Sequence, residues 1–382
     1  MRKRVCHMTT AHSVCDERIF HKECKALLKA GYEVSIIARH EKDDLIQGIR
    51  VIALPEPTGR IHRMFGTTLR ALSAALGEKA DIYHFHDPEI IPAALVLRLL
   101  GKKVIYDIHE DYGKQILSKQ YIRKKVRRPV ARSFSLFEQA ASRFFDSLIT
   151  ATDDILKNFP RHKYAFSIKN YPVLSDFHAI KSKEAARNSF RLIYAGGLSE
   201  LRGITSIVRS LELLGDETDV TLTLCGEFYP PGYREALEKE PGYRNVKYLG
   251  FRSPRDIPVL LSEADAGMVC LLPAPNHMKG MPVKLFEYMA AGLPVIASGF
   301  ELWREIVEGN KCGICVNPES PEEIAAAIRK LVRNPGLREE MGKNGRKAVR
   351  EKYNWESEKE KLLFIYKGLI SAPALKPCES KT

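Results

Sequence analysis

The stretch from Pro282 to Ser298 restricts the possible folds of this chain more than any other part of the sequence. It reads as a short helix, a stop and a buried strand. Proline suits the first turn of a helix, Gly292 stands where a left-handed cap is expected, and Pro294 prevents the helix from continuing. The apolar residues 295–297 then resume as a strand. This order of elements indicates an α/β sheet.

Two charged side chains lie on one face of this predicted helix. Lys284 and Glu287 are spaced as neighbours on a helix surface. A cation and a carboxylate near a helix N-terminus, at the edge of an α/β sheet, suit a ligand that carries phosphates and a ribose diol. The alternative is an ordinary surface Lys–Glu pair, which is common on helices.

Strands and helices alternate along two successive parts of the chain. The first part predicts strands at 4–8, 33–38, 50–53, 82–85, 103–107 and 147–151, and helices at 17–30, 64–76, 91–100 and 119–145. The second part predicts strands at 191–194, 220–225, 246–249 and 266–270, and helices at 203–214, 255–262, 321–333, 335–353 and 355–370. This order predicts an α/β protein with two doubly wound, Rossmann-like domains that face each other across a cleft.

The predicted domain limits follow from a break in this alternation. After Asn170 the sequence becomes polar and irregular. We therefore predict an N-terminal domain at 1–170, a linker at 171–189 and a C-terminal domain at 190–353. The helix at 354–370 is a candidate to pack back on the first domain, and the tail at 371–382 is expected to be disordered.

Targeting and cysteine patterns give simple expectations. No apolar run reaches the roughly 18 residues that cross a bilayer, and the basic N-terminus lacks the apolar core of a secretory signal. A cytoplasmic location is the default.

The eight cysteines are scattered, so no disulfide framework is expected. The lone pair Cys312 and Cys315 lacks a second pair or nearby histidines, and we interpret it as plain thiols in a strand.

The net charge of +13 is concentrated in the first half of the chain. Residues 1–190 contain 33 Lys+Arg against 21 Asp+Glu, whereas residues 191–382 contain 27 against 26. Such an asymmetry indicates an anionic partner for the first half, such as a membrane surface, a phosphorylated acceptor or nucleic acid.

The most basic stretch, 123–132, has six positive residues and no acid. An apolar stripe accompanies it at Ile122, Val126, Val130 and Phe134. A helix of this kind suits peripheral docking on anionic lipid at the inner face of a membrane. The residues predicted to contact lipid are Arg123, Lys124, Lys125, Arg127 and Arg128. The alternative is a solvated helix whose stripe packs on its own domain.

Several short motifs occur along the chain in a fixed order. They are the block 282–298, YAGGLSELRG at 194–203, LCGE at 224–227, HFHD at 84–87, DIHE at 107–110, DER at 16–18 and NYP at 170–172. Together they resemble the retaining nucleotide-sugar glycosyltransferases of family 4, which have the GT-B fold, over about residues 1–370. The resemblance implies a nucleotide-diphosphate sugar as donor substrate, with no cofactor and no metal.

The resemblance and the residue chemistry together assign roles in the second domain. Gly196 and Gly197 would allow a phosphate to approach the backbone closely, although a simple strand-exit turn is the alternative. Arg202 offers a planar fork of donors for phosphate oxygens. The predicted donor-binding residues are Gly196, Gly197, Gly226, Met281, Pro282, Val283 and Leu285. The predicted catalytic residues are His109, Arg202, Lys284 and Glu287.

In the first domain, His109 follows a predicted strand. The resemblance implies that it faces the donor sugar, because the carboxyl ends of parallel strands line the ligand crevice. A buried structural histidine is the alternative. The predicted acceptor-side residues are Asp16, Arg18, His86, Asp87 and Glu110. Their spacing is not that of a metal-ligand set, so no metal is predicted.

The sequence therefore predicts a retaining glycosyltransferase that acts on a glycan or a lipid-linked acceptor, in cell-surface polysaccharide or lipopolysaccharide assembly. One position departs from the family, because Lys279 stands where its first motif glutamate is expected. A catalytically weakened binding relative therefore remains an alternative, as does a non-hydrolysing epimerase of the same fold. A nucleic-acid-binding module is disfavoured because the basic stretch lacks interleaved aromatic residues.

Overall fold

The computed structural model describes residues 2–59, 62–119, 122–177, 189–215 and 219–370. The chain forms two compact domains. The N-terminal domain comprises Met1–Asn170 and the helical residues from Glu356, and the C-terminal domain comprises Tyr171–Trp355. The predicted tail at 371–382 lies outside the described residues.

The N-terminal domain is built on an eight-stranded sheet in the order β3-β4-β2-β1-β5-β6-β7-β8. Its strands are β1 (Arg4–Ser13), β2 (Glu33–Arg39), β3 (Asp44–Ile46), β4 (Ile49–Leu54), β5 (Ile82–Phe85), β6 (Lys103–Ile108), β7 (Ser147–Thr150) and β8 (Ala165–Ser167). All pairs are parallel except β3 with β4. The central strands β5 and β7 are fully buried, as helices on both faces of a parallel sheet require.

Most helices of this domain lie at predicted positions, but Tyr112–Ser118 and Asp153–Leu156 were not predicted. The helices of this domain are Lys25–Lys29, Thr68–Glu78, Ile91–Leu99, Tyr112–Ser118, Lys124–Ser142, Asp153–Leu156 and Trp355–Ile370. Two π-helical segments, Glu17–Cys24 and Arg63–Thr67, lead into the first two of these helices, and short 3-10 turns occur at Pro88–Ile90 and, in the C-terminal domain, Leu174–Phe177.

The helix predicted at 119–145 is confirmed, with the narrower limits Lys124–Ser142. A separate first helix, Tyr112–Ser118, precedes it and was not predicted, and it ends where Lys119 adopts an extended conformation (ψ 111°). Asp111 caps that first helix by accepting the backbone N–H of Lys114 at 3.0 Å. Pro129 lies inside the second helix.

The C-terminal domain has a six-stranded, all-parallel sheet in the order β11-β10-β9-β12-β13-β14. Its strands are β9 (Phe190–Ala195), β10 (Val220–Cys225), β11 (Val246–Tyr248), β12 (Ala266–Val269), β13 (Val295–Ser298) and β14 (Gly313–Val316). Its helices are Ile204–Glu212, Tyr233–Leu237, Ile257–Glu263, Pro275–Met278, Val283–Ala291, Glu301–Val307, Pro321–Arg333 and Pro335–Glu351, with 3-10 turns at Glu200–Arg202 and Pro241–Asn245. The fold class predicted from the alternation is confirmed.

The helix Val283–Ala291 ends as the sequence indicates. Gly292 adopts a left-handed conformation (φ 73°) and donates its N–H to the carbonyl of Met289 at 3.0 Å. The following strand β13 is completely buried between β12 and β14. Cys312 precedes β14 and Cys315 lies within it, both as free thiols, in keeping with the plain strand interpretation.

The residues immediately after Asn170 are part of the C-terminal core. Tyr171 is buried, and its ring lies edge-on to Phe286 at 4.9 Å between centroids. The carbonyl of Pro172 accepts the N–H of Trp355 at 2.9 Å. The beginning of the predicted linker is therefore packed, and its part at 178–188 lies outside the described residues.

The last helix packs on the N-terminal domain. Leu362, Ile365 and Tyr366 are fully buried, and the Tyr366 hydroxyl lies 2.8 Å from Nδ1 of His84. Glu358 accepts the backbone N–H of Lys169 at 2.9 Å. Among the helices of the described ranges, none is long and apolar enough to span a membrane.

Candidate functional site

The carboxyl ends of β9 and β10 meet in a glycine-lined turn. Gly196 donates its N–H to the Cys225 carbonyl at 2.8 Å, which holds the two strand exits together. Gly226 adopts φ 141°, and a Cβ at this position would collide with the Gly196 carbonyl. Gly196 and Gly197 are exposed, whereas Gly226 is buried beneath them. The turn therefore presents bare backbone to a ligand, and Gly226 supports it.

Lys284 lies directly against this turn. Its ammonium group is 3.6 Å from the centre of the Tyr194 ring, and a Cβ at Gly196 would come within 2.8 Å of it. The residue is only 9% exposed, and its Nζ has no hydrogen-bond partner. Burial, and then the charge of Arg202, hold the pKa of Lys284 well below its usual range. An anion at the glycine turn would supply the missing partner.

Arg202 provides a second cation at the same edge. It ends the 3-10 turn Glu200–Arg202, immediately before the helix Ile204–Glu212. After burial, its charge is the second cause of the lowered pKa of Lys284, and it offsets part of the rise that burial gives the pKa of Tyr194, so the guanidinium lies near both groups. Two neighbouring cations repel each other, and Glu287 offsets this repulsion only in part, so the arrangement favours an anionic ligand.

Glu287 is half-buried on the same helix as Lys284, and its charge raises the pKa of that lysine. Met281, Pro282 and Val283 are half-buried at the start of the helix, where Pro282 is the N-cap. Leu285 is different. Its side chain is fully buried in the core, and its N–H donates to the Pro282 carbonyl at 3.1 Å. Leu285 therefore supports the helix and does not face a ligand.

Two tyrosines complete this site and were absent from the predicted residues. Tyr194 provides the ring beneath Lys284, and its hydroxyl donates to the Gly197 carbonyl at 3.1 Å. The Tyr288 hydroxyl accepts the Ala195 N–H at 2.9 Å and so fixes the end of β9. Strand and helix periodicity mark both residues only as buried, and no sequence signal distinguishes them from ordinary core tyrosines.

In the N-terminal domain, Asp107 at the end of β6 organises a buried polar cluster. Arg18 donates from Nε and Nη2 to its two carboxylate oxygens, each at 3.0 Å, and from Nη1 to the Ile168 carbonyl at 2.8 Å. Burial opposes ionisation of Asp107, but Arg18 and His109 outweigh it and hold the pKa of this carboxyl well below its usual range. Arg18 is 4% exposed, so its predicted role on the acceptor side is corrected to a structural one.

Two further acceptor-side predictions are corrected in the same way. His86 is fully buried, with Nδ1 3.2 Å from Asp107 and Nε2 3.0 Å from His7. Burial lowers the pKa of His86 to about 4 despite the opposing carboxylate. Asp87 is 2% exposed and accepts the hydroxyl of Thr9 at 2.7 Å and the N–H of Thr10 at 2.6 Å. Both residues hold neighbouring chain segments together, and neither is accessible in this structure.

His109 remains accessible at the edge of this cluster. Its Nε2 lies 2.9 Å from Asp107, and its ring centroid is 5.3 Å from that of His12. His12 is hydrogen-bonded to Asp16 at 3.1 Å. Burial lowers the pKa of His12, but Asp16, Asp87 and the exposed Glu110 raise it more, with a net rise. The structure thus brings together His109, Glu110 and Asp16 and adds His12, which the sequence did not single out.

A cavity of about 320 Å³ adjoins this edge. It is lined by Ile108, Glu110, Asp111, Gly113, Lys114, Leu117, Arg128, Ala131, Arg132, Ser135, Glu138, Gln139, Ile155, Asn158 and Phe159. Glu138 accepts the hydroxyl of Tyr106 at 2.7 Å, and burial raises the pKa of Glu138 to about 7. The cavity lies at the carboxyl end of β6 and is lined by both basic and acidic side chains, which can hydrogen-bond a polar ligand.

The basic residues predicted for lipid contact lie at the start of the helix Lys124–Ser142. Arg123, Lys124, Lys125 and Arg128 are exposed, whereas Arg127 donates to the Ile122 carbonyl at 2.7 Å. The predicted apolar stripe is exposed only in part. Val126 and Val130 are 44% and 43% exposed, but Phe134 is half-buried with its ring edge-on to Tyr112. The exposed Leu136 and Phe137 extend the apolar surface instead.

The fold and the glycine–lysine–arginine site define a class of protein. The structure is similar to a sucrose-phosphate synthase from Thermosynechococcus elongatus (TM-score 0.77, 19% identity, 97% of this chain and all of the other). It is also similar to HepE from Anabaena, determined in complex with UDP and glucose (TM-score 0.72, 15% identity, 97% of this chain and all of the other). Both likenesses place the two domains in the GT-B fold.

Sequence comparison gives the family. The model of Glycosyltransferase Family 4 matches residues 17–165, and that of Glycosyl transferases group 1 matches residues 176–348. An MMP alpha-(1->4)-mannosyltransferase from Mycolicibacterium hassiacum is 22% identical over 317 residues, which cover 80% of this chain and 75% of that protein. The chain belongs to the family 4 type of glycosyltransferases.

Proposed function

We propose that this glycosyltransferase takes its sugar from a nucleotide-diphosphate donor held by the C-terminal domain. The observation that carries the proposal is the buried ammonium of Lys284, which has no hydrogen-bond partner and lies against Gly196. Arg202 adds a second positive charge. A diphosphate would satisfy both cations and could approach the bare turn at Gly196 and Gly197.

The nucleoside part of the donor would extend toward Glu287. A carboxylate accepts hydrogen bonds from both hydroxyls of a ribose diol. Anabaena HepE, which is similar to this chain in fold, was determined with UDP and glucose, and this supports a nucleotide-sugar donor here. The half-buried backbone of Met281, Pro282 and Val283 would border the sugar. Lys279, two positions before Met281, is exposed and would face the same region.

The proposed reaction is a transfer with retention of configuration. The bond between C1 of the sugar and the β-phosphate oxygen breaks, and its electron pair remains on the leaving phosphate. The acceptor hydroxyl oxygen then bonds to C1 from the same face, and the leaving phosphate takes the hydroxyl proton. Arg202 and Lys284, already in place before the reaction, would stabilise the charge that develops on the phosphate without a metal ion.

We propose that the N-terminal domain handles the acceptor at the edge formed by His109, Glu110 and Asp16. His109 is anchored by Asp107 and can direct its ring toward a sugar hydroxyl. The adjoining cavity, with Arg128, Arg132 and Glu138 in its lining, would receive a glycan or the head of a lipid-linked glycan. Such acceptors fit a role in cell-surface polysaccharide or lipopolysaccharide assembly.

A lipid-linked acceptor requires access to a membrane surface. Val126 and Val130 are exposed and, with Phe137, recur at spacings that place them on one side of a helix. Lys124, Lys125 and Arg128 are exposed on the same helix. We propose that this surface docks peripherally on anionic lipid at the cytoplasmic face of a membrane.

Sedimentation with phosphatidylglycerol vesicles tests this docking. The variant Lys124→Gln/Lys125→Gln should lose at least half of the vesicle-bound fraction at low salt, while Lys343→Gln/Lys347→Gln in the C-terminal domain should not. Arg127 is kept, because it holds the start of the helix. Equal binding of both double variants, or no binding of the parent protein, would refute the lipid surface.

A thermal-shift screen against nucleoside diphosphates and their sugar conjugates tests the donor proposal. At least one nucleotide should raise the melting temperature, and its sugar conjugate should yield free nucleotide and a glycoside with the anomeric configuration of the donor, measured by NMR. Inversion of the anomeric centre would refute retention. Binding without turnover of any conjugate would favour the catalytically weakened alternative that Lys279 suggests.

A further inference from the structure

Three histidines and one glutamate meet in the interior of the N-terminal domain, next to Asp107, and one of them, His86, lies 3.1 Å from Nε2 of His109. His7 comes from β1, His84 and His86 come from the end of β5, and Glu23 comes from the π-helical segment Glu17–Cys24. All four side chains are fully buried. Each side chain offers one ligand atom, a ring nitrogen or a carboxylate oxygen, and these four atoms all lie within 4.8 Å of one another.

The separations resemble those of a coordination shell. Nδ1 of His7 lies 3.0 Å from Nε2 of His86 and 4.0 Å from Oε2 of Glu23, and Nδ1 of His84 lies 3.9 Å from the same oxygen. In a tetrahedral zinc site with bonds of about 2.1 Å, the ligand atoms lie about 3.3 Å apart. Small side-chain rotations would therefore bring these four groups around one ion.

Unpaired atoms in the cluster point to a missing ligand. Neither carboxylate oxygen of Glu23 has a hydrogen-bond partner, nor does Nε2 of His84. Arg18 comes within 3.1 Å of Glu23, but its Nε and Nη2 hydrogens are directed to Asp107. Arg18 and the adjoining Asp107 side chain satisfy the Glu23 carboxyl group only in part, and coordination of a cation would satisfy it more fully.

The surroundings resemble the outer shell of a metal site. The other ring nitrogen of His86, Nδ1, lies 3.2 Å from the Asp107 carboxylate, an arrangement that commonly orients metal-bound histidines. The Tyr366 hydroxyl lies 3.4 Å from Nε2 of His7, the nitrogen of that ring not used in the proposed shell, and 2.8 Å from Nδ1 of His84, a contact that ion binding would replace.

We propose that His7, Glu23, His84 and His86 form a closed structural site for one divalent transition-metal ion of the zinc type. Three imidazoles and a carboxylate are donors that Zn²⁺ accepts in tetrahedral geometry. Full burial leaves no open coordination position, so the ion would not take part in glycosyl transfer. It would instead join β1, β5 and the segment Glu17–Cys24, and fix His86 against Asp107 behind the accessible His109.

The proposal is tested on the full chain, expressed in zinc-supplemented medium with its affinity tag removed. Plasma mass spectrometry should find about one zinc per chain, and removal of the zinc by a strong chelator should lower the melting temperature by roughly 5 °C. Cobalt substitution should give the intense visible absorption of tetrahedral Co²⁺, a readout that needs no variant. Less than about a tenth of an equivalent of zinc, with no tetrahedral cobalt spectrum, would overturn the proposal.

Substitutions of the proposed ligand residues test where the zinc ion is bound. Glu23→Gln and His84→Asn should each weaken zinc binding at least about 100-fold, whereas His40→Asn, at a half-buried histidine outside the cluster, should leave it unchanged. If Glu23→Gln retains full zinc binding, the ion is bound elsewhere and the site is refuted.

Discussion

The ammonium group of Lys284 lies 3.6 Å from the centre of the Tyr194 ring and has no hydrogen-bond partner. The ring offers the cation a modest attraction, about 1 to 2 kcal/mol. The loss of hydration on burial costs more than this, which is why the pKa of Lys284 is so far below its usual range. Without ligand, the site therefore stores an unfavourable interaction that an anion would relieve.

Replacement of this lysine should stabilise the protein without ligand. We expect Lys284→Met to raise the free energy of unfolding of the C-terminal domain by about 1 to 2 kcal/mol, because an apolar side chain of similar length removes the buried charge. Lys330→Met, at an exposed lysine of the same domain, should change it by less than about 0.5 kcal/mol. Urea denaturation followed by tryptophan fluorescence measures both. A less stable Lys284→Met protein would identify the lysine as a structural residue.

Arg202 should contribute to phosphate binding and little to stability. We expect Arg202→Ala to weaken binding of the preferred nucleoside diphosphate about 10- to 100-fold, because a charge-assisted hydrogen bond to phosphate is lost. Arg209→Ala is the matched control, since Arg209 is exposed on the next helix and paired with Glu240 at 2.7 Å. Calorimetric titration compares the two variants. Equal affinities would remove Arg202 from the site.

Glu287 should recognise the ribose and not the phosphates. We expect Glu287→Gln to weaken binding of a nucleoside diphosphate about tenfold while binding of inorganic pyrophosphate stays the same or improves. The removal of a negative charge beside Lys284 accounts for any improvement. Competition titrations with the two ligands separate these effects. A similar loss for pyrophosphate would show that Glu287 acts by positioning Lys284.

The sequence predicted most of the fold because its strands and helices follow local rules. The helix before β13 begins after Pro282 and ends at Gly292, as the capping residues indicated. The helix Tyr112–Ser118 and the antiparallel edge strand β3 were not predicted, because neither has a clear local sequence signal. These elements depend on contacts with distant parts of the chain.

The sequence predicted some parts of the site better than others, because some contacts in the site also join distant parts of the chain. The glycine turn, Arg202 and Lys284 lie at strand ends and helix starts that short motifs can locate. Arg18 was assigned to the acceptor side because its partner Asp107 is far away in sequence and their pairing has no local signature. Asp87 was misassigned similarly, since it binds the loop after β1. Residue type and spacing show which side chains have suitable chemistry for a site. They do not show which of these side chains are already hydrogen-bonded or ion-paired within the folded protein.

Glu138 should make the stability of the N-terminal domain depend on pH. Its pKa is raised to about 7 by burial, with a smaller contribution from Asp111, and lies above the ordinary value of 4.5. The protonated carboxyl therefore stabilises the fold fully below pH 4.5, and this contribution of about 3 kcal/mol is lost as the pH rises through 7.

Glu138→Gln isolates this contribution. The variant should be close to the parent protein in stability at pH 5 and more stable at pH 8, since glutamine cannot ionise. Glu41→Gln, at an exposed carboxylate of the same domain, should follow the parent at both pH values. Urea denaturation at the two pH values measures the difference. A constant difference between parent and Glu138→Gln would contradict the prediction.

The most direct test of the donor site is calorimetric titration of the preferred nucleoside diphosphate into the parent protein, Lys284→Met and Lys330→Met. We predict that Lys284→Met, although at least as stable as the parent, binds at least about 100-fold more weakly, and that Lys330→Met binds normally. If folded Lys284→Met binds the nucleotide as tightly as the parent, the buried lysine does not hold the diphosphate and the proposed donor site is wrong.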